Sequence, residues 1–205
     1  MNVRLFISVR SRDPEKERII RENALKMFFK DGFAGFSMQK LARASNVSPA
    51  TLYIYFKDKD DLILSLYKEE MQKMSELTLR GFDPGMKFAD GLKVQWKNRA
   101  QYYLENPMQS YFLEQIRYTP FHEQAARLAD PVFLHAMHTF LDNAVKRKEL
   151  VKLPLEVYWS VAYAPLYQLL KYHINGHAFP GKPRFQLSDA VMKRTLEIVL
   201  KALKP

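Results

Sequence analysis

Five histidines are the first residues to test for chemistry. His135 and His138 stand three apart on one helical stretch, and His173 and His177 stand four apart near a helix end. A pair of imidazoles is only part of a metal site, which needs further converging ligands and groups that orient them. No third ligand follows at a fixed spacing. The chain has no cysteine, which excludes disulfides, thiolate catalysis and cysteine metal sites. The carboxylates fall into no paired pattern. A Gly-rich phosphate loop, a nucleophile elbow and a metalloprotease motif are all missing. The sequence therefore predicts no catalytic residue, no metal and no cofactor, and a protein that is not an enzyme.

The side chains that remain are hydroxyls, phenols and ammonium groups crowded into 36–62, FSMQKLARASNVSPATLYIYFKDKDDL. Their chemistry is hydrogen bonding and charge pairing with a polyanion. Two short helices must hold them. Ser37 is placed to N-cap a run carrying Met38, Leu41 and Ala42 that ends near Ser45. Asn46 and Val47 make a tight connection. Ser48 N-caps a second helix over 50–56, and Pro49 takes its first position, where a missing N–H costs nothing. Leu52 and Phe56, four apart, share its inner face. Two short helices, a tight turn and a common apolar face predict a helix-turn-helix. Its second helix is expected to turn Thr51, Tyr53 and Tyr55 outward, with Lys57 and Lys59 just beyond.

The run SPATLYIYFKDKDDL resembles the signature of TetR-family transcriptional regulators, through Thr51, Leu52, Tyr53, Tyr55, Phe56, Lys59 and Leu62. Gly32, Phe33, Ser37 and the pair Leu41-Ala42 also fit, and Ala50 stands where the family often has Gly. The detailed resemblance covers about 15–67; beyond it, only length and helical layout agree. It implies a DNA-binding domain at 1–59 and a regulatory, ligand-binding and dimerisation domain at 60–205. It also implies contacts to double-stranded DNA from Ser37, Ser48, Pro49, Ala50, Thr51, Tyr53, Tyr55, Lys57 and Lys59, with Thr51 and Tyr53 reading bases or groove and Lys59 on phosphate. The last two helices are then expected to form a four-helix interface in a homodimer that favours a palindromic operator.

Charge agrees with a polyanion partner. The formal net charge is +10 over 205 residues, and residues 1–60 hold 12 Lys/Arg against 7 Asp/Glu, more than twice the charge density of the remainder. Arg4, Arg10 and Arg12 read either as an arm along the DNA or, more plainly, as a frayed terminus. The apolar run 5–9 is too short for a signal-peptide core and no later run approaches a membrane span, so a cytoplasmic protein without a membrane partner is expected.

The remaining elements are helical. With 47% hydrophobic residues and only 7 Gly, and with few alternating runs, the chain is expected to be all-α with about nine helices. Asp13 and Pro14 open the first, and Gly32 ends it. A long helix over 60–80 joins the two domains. Helices over 85–104, 108–118, 130–148, 154–176 and 189–203 follow, with a small piece at 121–128. Pro165 should kink the helix over 154–176, whose apolar surface exceeds what one side can bury.

These later helices carry Trp96, Tyr103, Phe112, Tyr118, Phe133, Tyr163 and Tyr167. Each alone reads as core. Together they predict a pocket for a small apolar or aromatic effector of unread identity, and the resemblance places a pocket in the same region. The expected function is sequence-specific transcriptional regulation, repression relieved by that effector. A DNA-binding activator without an effector, and a helical small-molecule-binding protein or enzyme, remain the alternatives.

Overall fold

A computed structural model describes residues 12–176, 179–181 and 183–205. Among these residues every regular element is helical: eleven α-helices and one short 3-10 turn, with no strand. The expected all-α class holds. The count exceeds nine for two reasons, a separate short helix His122–Ala126 and a break where only a kink was expected.

Local capping explains most helix starts. Helix α1 (Pro14–Gly35) begins where the Asp13 carboxylate accepts the Glu15 and Lys16 amides, with Pro14 in the first turn. Gly32 takes φ +66°, a conformation glycine adopts without a Cβ penalty, so the helix kinks there and resumes to Gly35 rather than ending. Helix α2 (Met38–Ala44) is capped by Ser37, and α3 (Pro49–Tyr55) by Ser48 with Pro49 at its start. Helix α4 (Lys59–Thr78) is capped by Asp58, and Asp60 and Asp61 lie at its positive end.

Beyond the turn after α4 come α5 (Phe88–Glu105), α6 (Pro107–Gln115), the 3-10 turn Ile116–Tyr118, α7 (His122–Ala126) and α8 (Pro131–Lys146). The stretch expected as one helix from Pro154 to Gly176 is two, α9 (Leu155–Ala162) and α10 (Ala164–Asn175). Pro165 lacks an N–H, and its ring excludes the carbonyl four residues back. Tyr163 at φ −124° absorbs the misfit as a break. Helix α11 (Asp189–Ala202), capped by Ser188, ends the fold.

Two apolar clusters hold these helices. The first joins Ile20, Phe28, Leu41, Leu52, Phe56, Leu62 and Leu66 of α1–α4. It does not stop at the front helices: Tyr102, Phe112 and Ile116 belong to it, and Phe112 lies 5.2 Å from Phe28, ring centre to ring centre. The second gathers Phe88, Leu92, Trp96, Phe140, Tyr158, Leu166, Leu170 and Leu196. Helix α4 reaches from one towards the other. Its C-terminal carbonyls are held by α5, where Gln95 and Asn98 both donate to Thr78 O, at 3.1 and 3.0 Å. No helix among the described residues is long and apolar enough to cross a membrane.

Candidate nucleic-acid interface and internal cavity

Helices α2 and α3 pack through buried Leu41, Ala42 and Leu52, with Val47 between them. That leaves the other side of α3 to solvent. Ser48, Pro49, Ala50 and Lys57 are exposed, and Tyr53 keeps 56% of its surface free. The Ser48 and Thr51 hydroxyls share a 2.8 Å hydrogen bond, and Ser48 Oγ also accepts the Thr51 amide. Ser37 Oγ accepts the Lys40 amide at the start of α2. The face is thus a set of hydroxyls on two capped helix starts, an exposed phenol and an exposed lysine.

Two expected members of this face do other work. Tyr55 was expected to point outward but is only 7% exposed. Its hydroxyl accepts the Asp13 amide at 3.0 Å, which ties the start of α1 to the end of α3. Successive helical residues point about 100° apart, so Tyr53 and Tyr55 cannot share an outer face. Lys59 is half-buried: its ammonium donates to Phe33 O at 3.4 Å and sits 5.5 Å from the Phe36 ring centre. Lys16 and Arg18, at the start of α1, pair with Asp13 and with Glu15 and Glu22.

Residues 1–11, and with them Arg4 and Arg10, lie outside the described residues. Arg12 is described. It donates to the carbonyls of Ile54 and Tyr55, closing the C-terminal end of α3. Sequence reasoning gave it only a place in the arm.

The second feature is a cavity of about 310 Å³ bounded by α4, α5, α6, the 3-10 turn, α8, α9 and α10. Tyr103, Tyr118, Phe133 and Tyr167 line it as expected from their type, with Tyr118 at the rim and 78% exposed. Trp96, Phe112 and Tyr163 do not. Trp96 packs below, its indole N–H donating to Ala162 O at 2.8 Å. Phe112 faces α1 because α6 completes the front core. Tyr163 is fully buried, its hydroxyl 3.4 Å from that of Tyr158. Burial pushes the Tyr103 and Tyr163 phenols upward, so both remain protonated.

The residue the aromatic pattern missed is Arg99. It lines the cavity at 1% exposure, with its Nη1 donating to the Tyr167 hydroxyl at 2.6 Å. A signal was available: with Leu92, Trp96 and Tyr103 it makes a helical stripe in which it alone is charged. Lys171 and Glu114 pair at the cavity edge, also unforeseen.

None of the described histidines lines the cavity or lies on α2 or α3. His135 and His138 are exposed, His173 Nδ1 accepts the Leu187 amide, and His177 lies outside the described residues. Among the described residues no group of three or more His, Cys, Asp or Glu is placed to hold a metal.

Comparison with known proteins places this arrangement. Residues 20–66, from mid-α1 into α4, match the model of the bacterial regulatory proteins, tetR family. An uncharacterized HTH-type transcriptional regulator of Haemophilus influenzae is 35% identical over 83 residues, covering 40% of this chain and 44% of its own. YuxN of Bacillus subtilis, another uncharacterized HTH-type transcriptional regulator, is 32% identical over 88 residues, covering 41% of this chain and 30% of its own. The chain thus spans less than half the length of these relatives. Among solved structures, a TetR family transcription regulator from Marinobacter aquaeolei superposes with a TM-score of 0.71 at 24% identity, covering 94% of this chain and 97% of its own. A putative one from Shewanella sp. PV-4 gives 0.76 at 19% identity, covering 93% and 98%. These likenesses establish the fold over 93–94% of the chain. Residues 20–66 are thus a helix-turn-helix segment of the tetR family of bacterial regulatory proteins, carried on a fold that the rest of the chain shares with these regulators.

Proposed function

We propose that the protein is a sequence-specific transcriptional repressor whose DNA complex is released by a small apolar or aromatic ligand. The observation that carries this reading is the exposed outer side of α3, where Tyr53 stands free on a helix whose start Ser48 caps. Residues 1–59 serve as the DNA-binding domain and 60–205 as the regulatory one. Helix α3 enters the major groove, with Thr51 and Tyr53 on base edges or groove walls. Ser37, Ser48, Pro49, Ala50 and Lys57 position the domain along the phosphates. Lys59 chiefly fixes the turn before α2 and adds positive potential. The site of action is the cytoplasm, where the DNA is.

Release needs a path from cavity to reading helix. Helix α4 supplies Tyr67, Met71 and Met74 to the cavity wall and Leu62, Ile63 and Leu66 to the front core. A ligand that fits only when α4 is tilted shifts the protein towards the tilted state, because it binds that state better. In a two-fold dimer the tilt moves two α3 helices off their half-sites, spaced about 34–36 Å apart on a palindromic operator.

Selection of bound sites from random duplex DNA, followed by salt titration of the winning site, tests the reading. A palindromic site whose affinity falls steeply with salt is the expected result. Weak, sequence-indifferent binding would overturn it.

A further inference from the structure

Arg99 sits near the middle of α5 with its charge inside the protein. Its guanidinium lies 4.4, 5.0 and 5.5 Å from the ring centres of Tyr163, Trp159 and Phe133. Nη1 donates to the Tyr167 hydroxyl and Nη2 to Gln95 Oε1, but the buried Nε–H meets no acceptor. No carboxylate pairs with it among the described residues, and the acid on the cavity wall, Glu114, is held by Lys171. Burial works against the charge, yet the tyrosines keep the group protonated, and a guanidinium in any case does not titrate in proteins. Buried charges are as a rule paired. Here ring faces, a phenol and an amide give partial compensation, and the residue lines the wall of a cavity.

We propose that this cavity takes a small organic acid, with the carboxylate on Arg99 and the apolar or aromatic body against Met71, Met74 and Tyr103. The inference rests on the reading of the cavity as the effector site. A planar carboxylate matches the fork of a guanidinium, which favours it over other monoanions. A phosphate dianion would carry more negative charge into an apolar cage than Arg99 neutralises. The cavity volume lies at the small end of the roughly 300–1,000 Å³ of small-molecule sites, so the body is compact.

Trp159, one of two tryptophans, lines the cavity and reports occupancy. Fluorescence titrations of the full chain would compare decanoate with decanol, and 4-phenylbutyrate with 4-phenylbutanol. Each acid is expected to bind about tenfold or more tighter than its alcohol. Arg99→Gln is expected to abolish that preference while alcohol binding persists, and Arg99→Lys to keep part of it. Arg117→Gln, at the exposed rim, should leave it in place. Should Arg99→Gln fail to fold, the wild-type ratios and Arg117→Gln decide.

Equal binding of acid and alcohol, binding of neither, a preference that survives Arg99→Gln, or one lost in Arg117→Gln would each overturn the proposal. The same four probes added to the DNA complex separate the two readings. An acid that binds preferentially but leaves the complex intact upholds the anion site and overturns ligand release. Alcohols that dissociate the complex as well as the acids do the reverse.

Discussion

Tyr53 and Tyr55 lie two residues apart on one short helix and have opposite fates. The Tyr55 hydroxyl spends its acceptor capacity on the Asp13 amide, while Tyr53 touches little. Tyr55→Phe should therefore lower stability by about 0.5–1.5 kcal/mol in urea denaturation, and Tyr53→Phe should leave it within about 0.5 kcal/mol. DNA affinity should respond the other way, falling more for Tyr53→Phe at matched occupancy of the folded state. Equal destabilisation by both would contradict the division. Lys57 offers a cleaner test of phosphate contact than Lys59, because its ammonium is exposed and only its backbone amide is used, donating to Asp61. Lys57→Ala should weaken binding to all sequences alike and reduce the salt slope by about 1. An unchanged slope would remove Lys57 from the interface. At this scale the sequence was legible where the chemistry is local. Asp13, Ser37 and Ser48 cap the helices they precede, since a cap depends on the next three residues only. That Tyr55 turns inward was legible from its position three residues after Leu52 on the same helix, but its hydroxyl's partner, the Asp13 amide 42 residues away, was not.

Among the elements, α4 and α5 decide how the two halves of the chain meet. They cross through Gln95, Asn98 and Thr78, and α5 reaches its other neighbour by way of Gly91. A Cβ at Gly91 would lie 2.4 Å from Phe140 Cε2, too close for any side chain. Gly91→Ala should cost about 1–3 kcal/mol of stability by overpacking, measured in urea, without altering DNA specificity. A neutral result would mean that α8 yields more readily than a packed core should.

Helix α4 also carries Glu70, buried under Lys73. Burial holds its carboxyl above the ordinary glutamate range, against the opposing pull of Lys73. A raised acid in the folded state binds protons that the unfolded state has released. Stability should therefore fall as pH climbs from the unfolded value through the folded one, and level off above it. Glu70→Gln should flatten that part of the profile, and a profile unchanged in the variant would deny Glu70 the role. Element positions were legible from caps and stripes, since α1 to α5 start within about three residues of the expected places. What the stripes could not convey was the severity of Pro165. A proline tells that a hydrogen bond is lost, but whether the helix bends or breaks depends on what its two halves pack against.

For the whole molecule, the break at Tyr163 lets α9 and α10 follow different directions and leaves apolar surface uncovered. Leu155 and Val157 on α9 are about half exposed, and Ile198 on α11 is 57% exposed. The buried side of α11 is Leu196, Val199 and Leu203. Val191, Thr195, Ile198 and Ala202 recur at helical spacing on a different side, so α11 has one face for its own core and a small, flat second face. The sequence reading expected the last two helices at a dimer interface but did not separate the two sides of α11, because a stripe of smaller residues is quiet beside one of leucines. A second copy packed there would cover Ile198 symmetrically, each face meeting its own image across a two-fold axis. Ile198→Glu would set like charges against each other at that axis while leaving the core of each chain untouched. The expected outcome is a shift from dimer to monomer in sedimentation equilibrium, with helical content retained. Binding to a palindromic site should fall far more than binding to a single half-site, since only the linked pair gains from high effective concentration. A variant that stays dimeric, or a wild type already monomeric at micromolar concentration, would place the two-fold interface elsewhere or deny it.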